Sequence, residues 1–387
     1  MTPSTNTTRR AGSPTPFRRA LTCAEAAPGY PGRRPPPPLR VDDPGALIAA
    51  LPAMLGFVPE RSLVVAILHE PARTGPSAIE AVVRFDLDGL TDPSRAEQLT
   101  ACVASICLRE QTEAVLAVLV DDRAGSRAAA AGRAAALVEA FGGAGIAVRG
   151  AWSVPAITAG ARYHSLFERA GGLVGDPESS PVALSHVLDG RQIRASRGDL
   201  TALVVPDTAR CARVVTWLGP AVARYRGGLT AATRTGAAVA YQRRALEWVL
   251  WQIAGTESGE PRADRELARL AAVLRDRPIR DAMYGLALGD HAEAAEQLWA
   301  QLARATPGSD RAEAAALLGF SAYLRGDGPF AGVALAAAVD ADADHPMAVL
   351  LETSLQSGLR PERLRTLAHC GRQVAADLGV DLGPIGP

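Results

Sequence analysis

The first clear pattern along the chain is a stripe of apolar residues spaced three and four positions apart, as on one face of an α-helix. The stripe consists of Leu47, Ile48, Leu51 and Leu55. Asp43, followed by a proline, is a suitable N-cap, and Gly56 can take the left-handed conformation that ends many helices. The pattern therefore predicts a short first helix, bent at Pro52.

A β-strand pattern follows this helix. Two runs rich in β-branched and apolar residues occupy 63–68 and 78–87, and the gap between them is too short for a crossover helix. The two strands are therefore predicted to pair antiparallel. Helices and strands then alternate, with a helix from Asp92 to about Arg109, a strand over 114–120, a helix over 126–141 and a strand over 146–154. This alternation predicts parallel strands with right-handed crossovers.

The strand pattern ends near residue 180. A last strand over 162–167 is predicted to return antiparallel, and the glycine-rich segment 171–181 is predicted to be a loop. Alanine-rich amphipathic helices then follow one another to Gly371. Small residues in this half recur as in a tetratricopeptide-type helix pair, because Gly285 and Gly319 are 34 residues apart. Further small positions of that pattern are Gly326, Ala331 and Ala338.

These patterns predict a tail and two folded domains. Residues 1–40 are rich in proline and arginine and lack a hydrophobic period, which is typical of disorder. Residues 41–180 are predicted to form an α/β domain, with helices around a mixed, partly parallel sheet. Residues 181–387 are predicted to form an all-α, repeat-like domain that resembles a tetratricopeptide array.

Composition removes several classes of chemistry. All 41 basic residues are arginine, and the absence of lysine excludes Schiff-base enzymes, Walker-type phosphate loops and Ser-x-x-Lys hydrolases. The 41 acidic residues bring the net charge to zero, which argues against a protein-wide surface for nucleic acid. The five cysteines include no Cys-x-x-Cys pair for zinc or redox exchange. The sequence therefore indicates no particular cofactor.

Hydropathy indicates the cellular location. No apolar run approaches the roughly 18 residues that a membrane-spanning helix needs. The first 40 residues also lack the apolar segment of a secretory signal. We therefore expect a cytoplasmic protein that is not inserted in a membrane.

Charged side chains are predicted to gather where the parallel strands end, which is where ligands of α/β proteins usually bind. This strand-end rim should carry Asp86, Asp88, Asp121, Asp122, Arg162 and His164. Carboxylates suit a divalent cation such as Mg²⁺, and arginine suits the oxyanion of a phosphorylated ligand. The alternative is structural, because aspartate at a strand-to-helix junction commonly caps the helix.

Arg280 and Asp281 form a second candidate position, in the helical half. Asp276 lies four residues before Arg280, so local charge pairing accounts for part of the pattern. Our hypothesis is that Arg280 and Asp281 dock the helical domain against the α/β domain.

Four segments, taken in order, resemble one known family. They are Leu-Pro-Ala-Met-Leu-Gly-Phe-Val-Pro-Glu-Arg-Ser-Leu-Val-Val over 51–65, Arg-Tyr-His-Ser over 162–165, Arg-Asp-Ala over 280–282, and the stretch from Trp299 to Gly328. Over roughly residues 41–370 the chain resembles the actinobacterial domain-of-unknown-function family 4192. The resemblance implies a cytoplasmic protein of unassigned activity and supports the fold prediction. Members often carry paired cysteines where this chain reads Gly-Gly-Leu-Val-Gly over 171–175, so no metal or redox role is expected there.

The functional expectation rests on the catalytic motifs that the sequence lacks. The chain contains no Gly-x-Ser-x-Gly, His-Glu-x-x-His or Gly-x-Gly-x-x-Gly segment. We expect a non-enzymatic ligand- or protein-binding regulatory protein that offers a partner the surface of its helical domain. The alternative is a metal-assisted hydrolase or phosphate-ligand enzyme that uses the strand-end rim.

Overall fold

The computed structural model describes residues 22–25, 43–69, 78–90, 92–123, 127–188, 193–256 and 262–385. For 22–25, 127–129 and 186–188 it describes the backbone alone. Apart from 22–25, the predicted tail of residues 1–40 lies outside these ranges. Within them the chain forms a mixed sheet flanked by helices, followed by a half that is mostly helical.

Seven strands form one sheet in the described part of the chain. They are β1 Thr22–Glu25, β2 Ser62–His69, β3 Ala78–Asp86, β4 Ala114–Val120, β5 Ala147–Val154, β6 Arg162–Ser165 and β7 Gly171–Leu173. Their spatial order is β1-β3-β2-β4-β5-β6-β7. The central strands β2 and β4 are rich in valine, leucine and isoleucine and are buried along nearly their whole length, as in sheets covered on both faces.

Strand β2 is antiparallel to both of its neighbours. It pairs with β3 on one side, which confirms the predicted antiparallel pair, and with β4 on the other. Strands β4 and β5 are parallel and hydrogen-bonded to each other. Strands β3 and β4 also run in the same direction, but β2 lies between them. The start of β2 therefore lies at the same edge of the sheet as the carboxyl ends of β3, β4 and β5.

The helices of this half begin and end within two residues of the predicted positions. They are α1 Pro44–Leu55, α2 Pro93–Glu110 and α3 Arg127–Gly143. The side chain of Asp43 accepts hydrogen bonds from the backbone N–H groups of Gly45 at 3.1 Å and Ala46 at 3.3 Å. Gly56 ends α1 with φ of 70°, a conformation that glycine adopts readily. Asp92 caps α2 in the same way as Asp43 caps α1.

Two short edge strands differ from the sequence prediction. β7 lies in the segment predicted to be a loop, and it forms because β6 offers it a free edge. A Cβ atom on Gly172 would lie 2.7 Å from the Tyr163 hydroxyl, so the ring covers the glycine. β1 lies within the predicted disordered tail but pairs with β3. Neither strand has a hydrophobic period that could have revealed it.

The second half consists of helices connected by short turns. They are α4 Pro181–Leu188, α5 Arg197–Ala202, α6 Thr208–Arg234, α7 Ala238–Ala254, α8 Asp264–Leu274, α9 Arg277–Met283, α10 Ala292–Ala305, α11 Gly308–Leu324, α12 Gly328–Ala341, α13 Pro346–Gln356 and α14 Pro361–Asp377, with a 3-10 segment over Tyr284–Leu288. In the described ranges, no helix has both the length and the apolar character needed to cross a membrane.

Small residues let the later helices approach closely. A Cβ atom on Gly319 of α11 would lie 2.7 Å from the side chain of Leu335 on α12. A Cβ atom on Gly371 of α14 would lie 2.6 Å from the backbone nitrogen of Gly285. Side chains at these positions would overlap their neighbours, so glycine permits the packing.

One contact between the two halves joins α2 and β3 to the turn between α13 and α14. The guanidinium group of Arg360 contacts the carboxylate of Glu80 at 3.1 Å and that of Glu110. The thiol of Cys102 on α2 lies 3.8 Å from the backbone carbonyl oxygen of Gln356. Burial raises the pKa of this thiol to about 11, so Cys102 is an inert packing residue.

Candidate functional site

The strand-end rim forms at one edge of the sheet. Ser62, the first residue of β2, is opposite Asp86 of β3 on one side and Val120 of β4 on the other. The backbone N–H of Asp121 donates to the carbonyl oxygen of Val154 at the end of β5, at 3.1 Å. The ends of β3 and β4, on either side of β2, thus place the candidate aspartates along one edge.

Arg123 joins two of the four candidate aspartates. Its guanidinium group contacts the carboxylate of Asp121 at 2.7 Å and also that of Asp88. Arg133 of α3 contacts the second carboxylate oxygen of Asp121 at 3.0 Å. The hydrogen bond from Arg123 lowers the pKa of Asp121 and outweighs burial, which raises it. The rim therefore carries its own neutralising cations.

The other two aspartates each have a separate arginine. Arg61 lies 3.7 Å from the carboxylate of Asp122, and Arg84 contacts that of Asp86. The structure thus brings Asp88 and Asp121 together, whereas the ion pairs of Asp86 and Asp122 are distinct from that cluster. In the part of the chain that the structure describes, no group of three or more His, Cys, Asp and Glu side chains is placed to hold a metal ion.

Arg162 and His164 lie on β6, one strand beyond β5. His164 is paired with Ser153 of β5, and both Arg162 and His164 are exposed. Among the described residues, neither side chain contacts any of the four aspartates. The structure therefore places them on the same sheet as the rim without joining them to its ion pairs.

Arg84 is one of the rim arginines that the sequence analysis missed, together with Arg61, Arg123 and Arg133. The Arg84 side chain is buried, with the residue only 5% exposed, although it lies within an apolar strand. Its Nε atom donates a hydrogen bond to the Ser62 hydroxyl at 2.7 Å, and that hydroxyl donates to the carbonyl oxygen of Glu60 at 2.6 Å. The signal in the sequence was a single arginine inside the run Ala-Val-Val-Arg-Phe-Asp, where an unpaired charge would be costly.

Arg280 and Asp281 lie inside the helical half. Arg280 contacts the carboxylates of Asp281 at 2.8 Å and Glu313 at 3.6 Å. Glu313 also accepts a hydrogen bond from Nε2 of His345 at 3.2 Å, while Nδ1 of that ring accepts from the N–H of Ala348. The contacts that the structure gives Arg280 thus lie within the helical half, whereas Arg360 contacts Glu80 and Glu110 of the first half.

Helices α6 and α7 form a hairpin with an unusual charge distribution. The 39 residues from Thr208 to Leu246 contain seven arginines and no acidic residue. Three of the seven have carboxylate partners: Arg210 and Arg213 contact Asp264, and Arg243 contacts Glu247. The other four, which we call the arginine surface, are Arg224, Arg226, Arg234 and Arg244. All four are exposed, and among the described residues none has a carboxylate ion pair.

Helix geometry explains why these arginines face outward. The buried residues of α6 are Val214, Tyr225 and Ala232, and their spacings of 11 and 7 place them on one narrow stripe. Tyr225 packs against Tyr241 of α7 with ring centroids 5.4 Å apart, which joins the two helices. At 100° per residue, Arg234 falls opposite this stripe, whereas Arg224 and Arg226 fall on its two flanks.

Exposed tryptophans accompany the arginine surface. Trp217 of α6 is 52% exposed and Trp251 of α7 is 77% exposed. Both lie toward the end of the hairpin away from its connecting turn. Their spacing within the helices resembles that of core residues, but the structure exposes both side chains.

Comparison with known proteins adds the family. The model of a domain of unknown function, DUF4192, matches residues 44–362. The chain belongs to the DUF4192 family. No curated protein and no solved structure matches the chain. Both the strand-end rim and the arginine surface lie within the DUF4192 match, so they belong to the domain itself and not to an appended segment.

Proposed function

We propose that this DUF4192 protein is a non-enzymatic binding protein that recognises an acidic protein partner through α6 and α7. The observation that carries this proposal is the arginine surface, four exposed arginines on a hairpin that itself contains no carboxylate before Glu247. Unpaired guanidinium groups attract acidic partners and accelerate their association. The proposal includes a cytoplasmic location, where the partners would be acidic cytosolic proteins.

A protein fits this surface better than a nucleic acid. Tryptophan and arginine together are typical of the residues that dominate protein–protein binding energy. Val215 and Val239 of the same two helices are exposed as well as Trp217 and Trp251, so the hairpin offers apolar as well as charged contacts. The chain as a whole has no net charge, which does not favour the long-range attraction that a polyanion backbone requires.

The remaining helices would act as the support for this surface. We propose that α10 to α13 form a tetratricopeptide-like array, because α11 and α12 pack closely at Gly319, and Gly326 turns the chain between them with φ of 80°. A rigid array would hold the hairpin against the α/β domain through the Arg360 contacts. Through these contacts, binding of a partner would affect the sheet, and this is the basis of the proposed regulatory role.

Fluorescence anisotropy of labelled probes tests the proposal. The probes are a peptide that alternates glutamate with leucine, single-stranded RNA and duplex DNA, all carrying the same net charge. We expect the full-length protein to bind the peptide, with an affinity that falls as salt rises. Changing Arg226, Arg234 and Arg244 to glutamate should weaken peptide binding at least tenfold, since like charges then face the probe.

A matched variant controls for total charge. Arg169, Arg363 and Arg365 are also exposed, and changing them to glutamate alters the net charge equally at other sites. This control should bind the peptide as the native protein does. Equal loss in both triple variants would contradict the proposal, and tighter binding of RNA or DNA than of the peptide would assign the surface to nucleic acid instead.

The competing proposal is the metal-assisted hydrolase or phosphate-ligand enzyme at the strand-end rim. Thermal unfolding of the full chain with millimolar Mg²⁺, Mn²⁺ or Ca²⁺ tests its metal form, because a bound ion stabilises the folded state by mass action. We expect no rise in Tm with any of the three ions. A rise that disappears in Asp121→Asn would support the enzyme instead.

A further inference from the structure

An open cavity lies between the end of α14 and the chain segment that follows this helix. Its volume is about 630 Å³, which is within the usual range of small-molecule sites. One wall is formed by His369, Arg372, Gln373 and Ala376, whose spacing of three, one and three residues places them on one face of α14. The other wall is formed by residues 379–382.

The backbone holds this second wall in place. Gly379 follows α14 with φ of 78°, and the N–H of Val380 donates to the carbonyl oxygen of Ala375 at 3.0 Å, as in a Schellman motif. Further along, the carbonyl oxygen of Gly383 accepts a hydrogen bond from Nη2 of Arg372. The segment is therefore attached to α14 on both sides of the cavity wall.

Arg372 has hydrogen-bonding capacity that its surroundings do not use. Its Nη2 donates to a neutral carbonyl group, that of Gly383. Its Nη1 is buried and has no hydrogen-bond acceptor among the described residues, and within the same ranges the guanidinium group has no carboxylate partner. A buried cationic donor without an acceptor is unfavourable. A carboxylate in the cavity would supply both the acceptor and the counter-charge.

Asp381 places a negative charge on the other wall. Its carboxylate accepts from the backbone N–H of Gly383 at 3.0 Å, which fixes the side chain within its own turn. In the described part of the chain it forms no ion pair with Arg372 or with any other cation. Arg243 of α7 lies beside this segment, but it is paired with Glu247 at 2.8 Å. The cavity thus presents one cation and one anion that are not paired with each other.

We propose that this cavity binds a free α-amino acid with an apolar side chain. The carboxylate of the amino acid would accept from Nη1 of Arg372, and its ammonium group would donate to Asp381. Its side chain would lie against Ala376, Val380 and Leu382, which are the apolar residues of the two walls. This inference does not depend on partner binding through α6 and α7.

Calorimetric titration of the full chain with L-leucine and two analogues tests the two charges separately. L-leucinamide lacks the carboxylate, and 4-methylpentanoate lacks the ammonium group. We expect L-leucine to bind with a Kd below about 1 mM and each analogue to bind at least about tenfold more weakly, because one charge-assisted hydrogen bond is lost. At about 10 mM, L-leucine should also raise the Tm by at least about 1 °C.

Two variants test the walls of the cavity. Asp381→Asn keeps an oxygen that can accept from Gly383 but removes the charge. It should weaken L-leucine binding at least about tenfold without weakening that of 4-methylpentanoate, a difference that a merely structural role would not produce. Ala376→Trp changes no charge at an exposed position, and it should abolish binding because the indole ring would occupy the cavity.

Matched controls lie on the same helix. Glu362→Gln removes one negative charge, and Thr366→Trp adds the same indole ring, both at exposed positions that do not line the cavity. Both controls should bind L-leucine as the native protein does. The triple glutamate variant of Arg226, Arg234 and Arg244 should also bind it, so this test does not depend on the proposed protein partner.

The outcomes are distinct. Absence of binding heat with L-leucine would overturn the proposal, as would equal or tighter binding of either analogue by the native protein. Unchanged L-leucine binding in both Asp381→Asn and Ala376→Trp would place the amino acid elsewhere and would also overturn it.

Discussion

The strand-end rim and the α6–α7 hairpin both carry several arginines, but the two regions use them differently. At the rim, Arg61, Arg84, Arg123 and Arg133 each contact an aspartate. On the hairpin, the four arginines of the arginine surface have no carboxylate partner among the described residues. Paired charges chiefly hold a structure together, whereas unpaired exposed charges remain available to another molecule. The comparison predicts that stability depends on the rim and that binding depends on the hairpin.

The largest expected effect comes from Arg84→Leu. The change removes the ion pair with Asp86, whose side chain is 42% exposed, and leaves the buried hydroxyl of Ser62 without its donor. We expect the free energy of unfolding to fall by roughly 2 kcal/mol, because a charge-assisted hydrogen bond to a buried hydroxyl is lost. Denaturant unfolding followed by circular dichroism measures this. A loss below about 0.5 kcal/mol, which is typical of surface substitutions, would break the comparison.

Arg360→Gln should have the next largest effect. Arg360 contacts Glu80 and Glu110 across the two halves, and the side chain of Glu110 is only 9% exposed. We expect a loss of about 1.5 kcal/mol, because charge-assisted hydrogen bonds to a largely buried carboxylate are lost. A double-mutant cycle with Glu110→Gln isolates the coupling between the two side chains. Additive losses in the two single variants would show that this contact does not join the halves energetically.

The pH dependence of the stability of Asp121→Asn tests whether the paired charges of the rim stabilise the fold. The hydrogen bond from Arg123 lowers the pKa of Asp121 in the folded protein. The stabilising effect of this carboxylate is therefore fully present above its unfolded pKa of about 3.9, and it is lost as the pH falls through the folded pKa. We expect the variant to be about 1 kcal/mol less stable at pH 6, since two ion pairs are weakened. The difference from the native protein should shrink on acidification below about pH 4. A difference independent of pH between 6 and 3 would contradict the role given to this carboxylate.

The smallest expected effect on stability is that of the triple change of Arg226, Arg234 and Arg244 to glutamate. None of these side chains contacts a carboxylate among the described residues, so we expect the free energy of unfolding to change by no more than about 0.5 kcal/mol. The same denaturant series measures it. A loss comparable to that of Arg360→Gln would mean that the arginine surface supports the fold, and its assignment to binding would fail.

The sequence predicts the local elements of this protein better than their spatial order. The caps at Asp43 and Asp92, the left-handed turn at Gly56 and the bounds of β4 follow from short-range chemistry and appear in the structure. The insertion of β2 between β3 and β4 does not follow from short-range chemistry, because strand order depends on long-range pairing. Strand β7 was likewise invisible, since its pairing depends on β6 and not on its own residues.

The candidate site shows the same limit. The sequence located the aspartates at strand ends, but it could not show that Arg123 and Arg133 reach Asp121 from a following turn and helix. It also placed the docking contact at Arg280, whose partners in the structure are Asp281 and Glu313. The absence of acidic residues from 208 to 246 was readable from the sequence, but its meaning depended on seeing that the hairpin is exposed.

Hydrogen–deuterium exchange of the full-length protein, with and without a saturating concentration of the glutamate–leucine peptide, tests the central claim most directly. The account predicts that slower exchange on binding is concentrated in α6 and α7, over residues 208–254, with little change at the ends of β3 and β4. Protection confined to the strand ends, or an unchanged exchange pattern despite measurable binding, would contradict it.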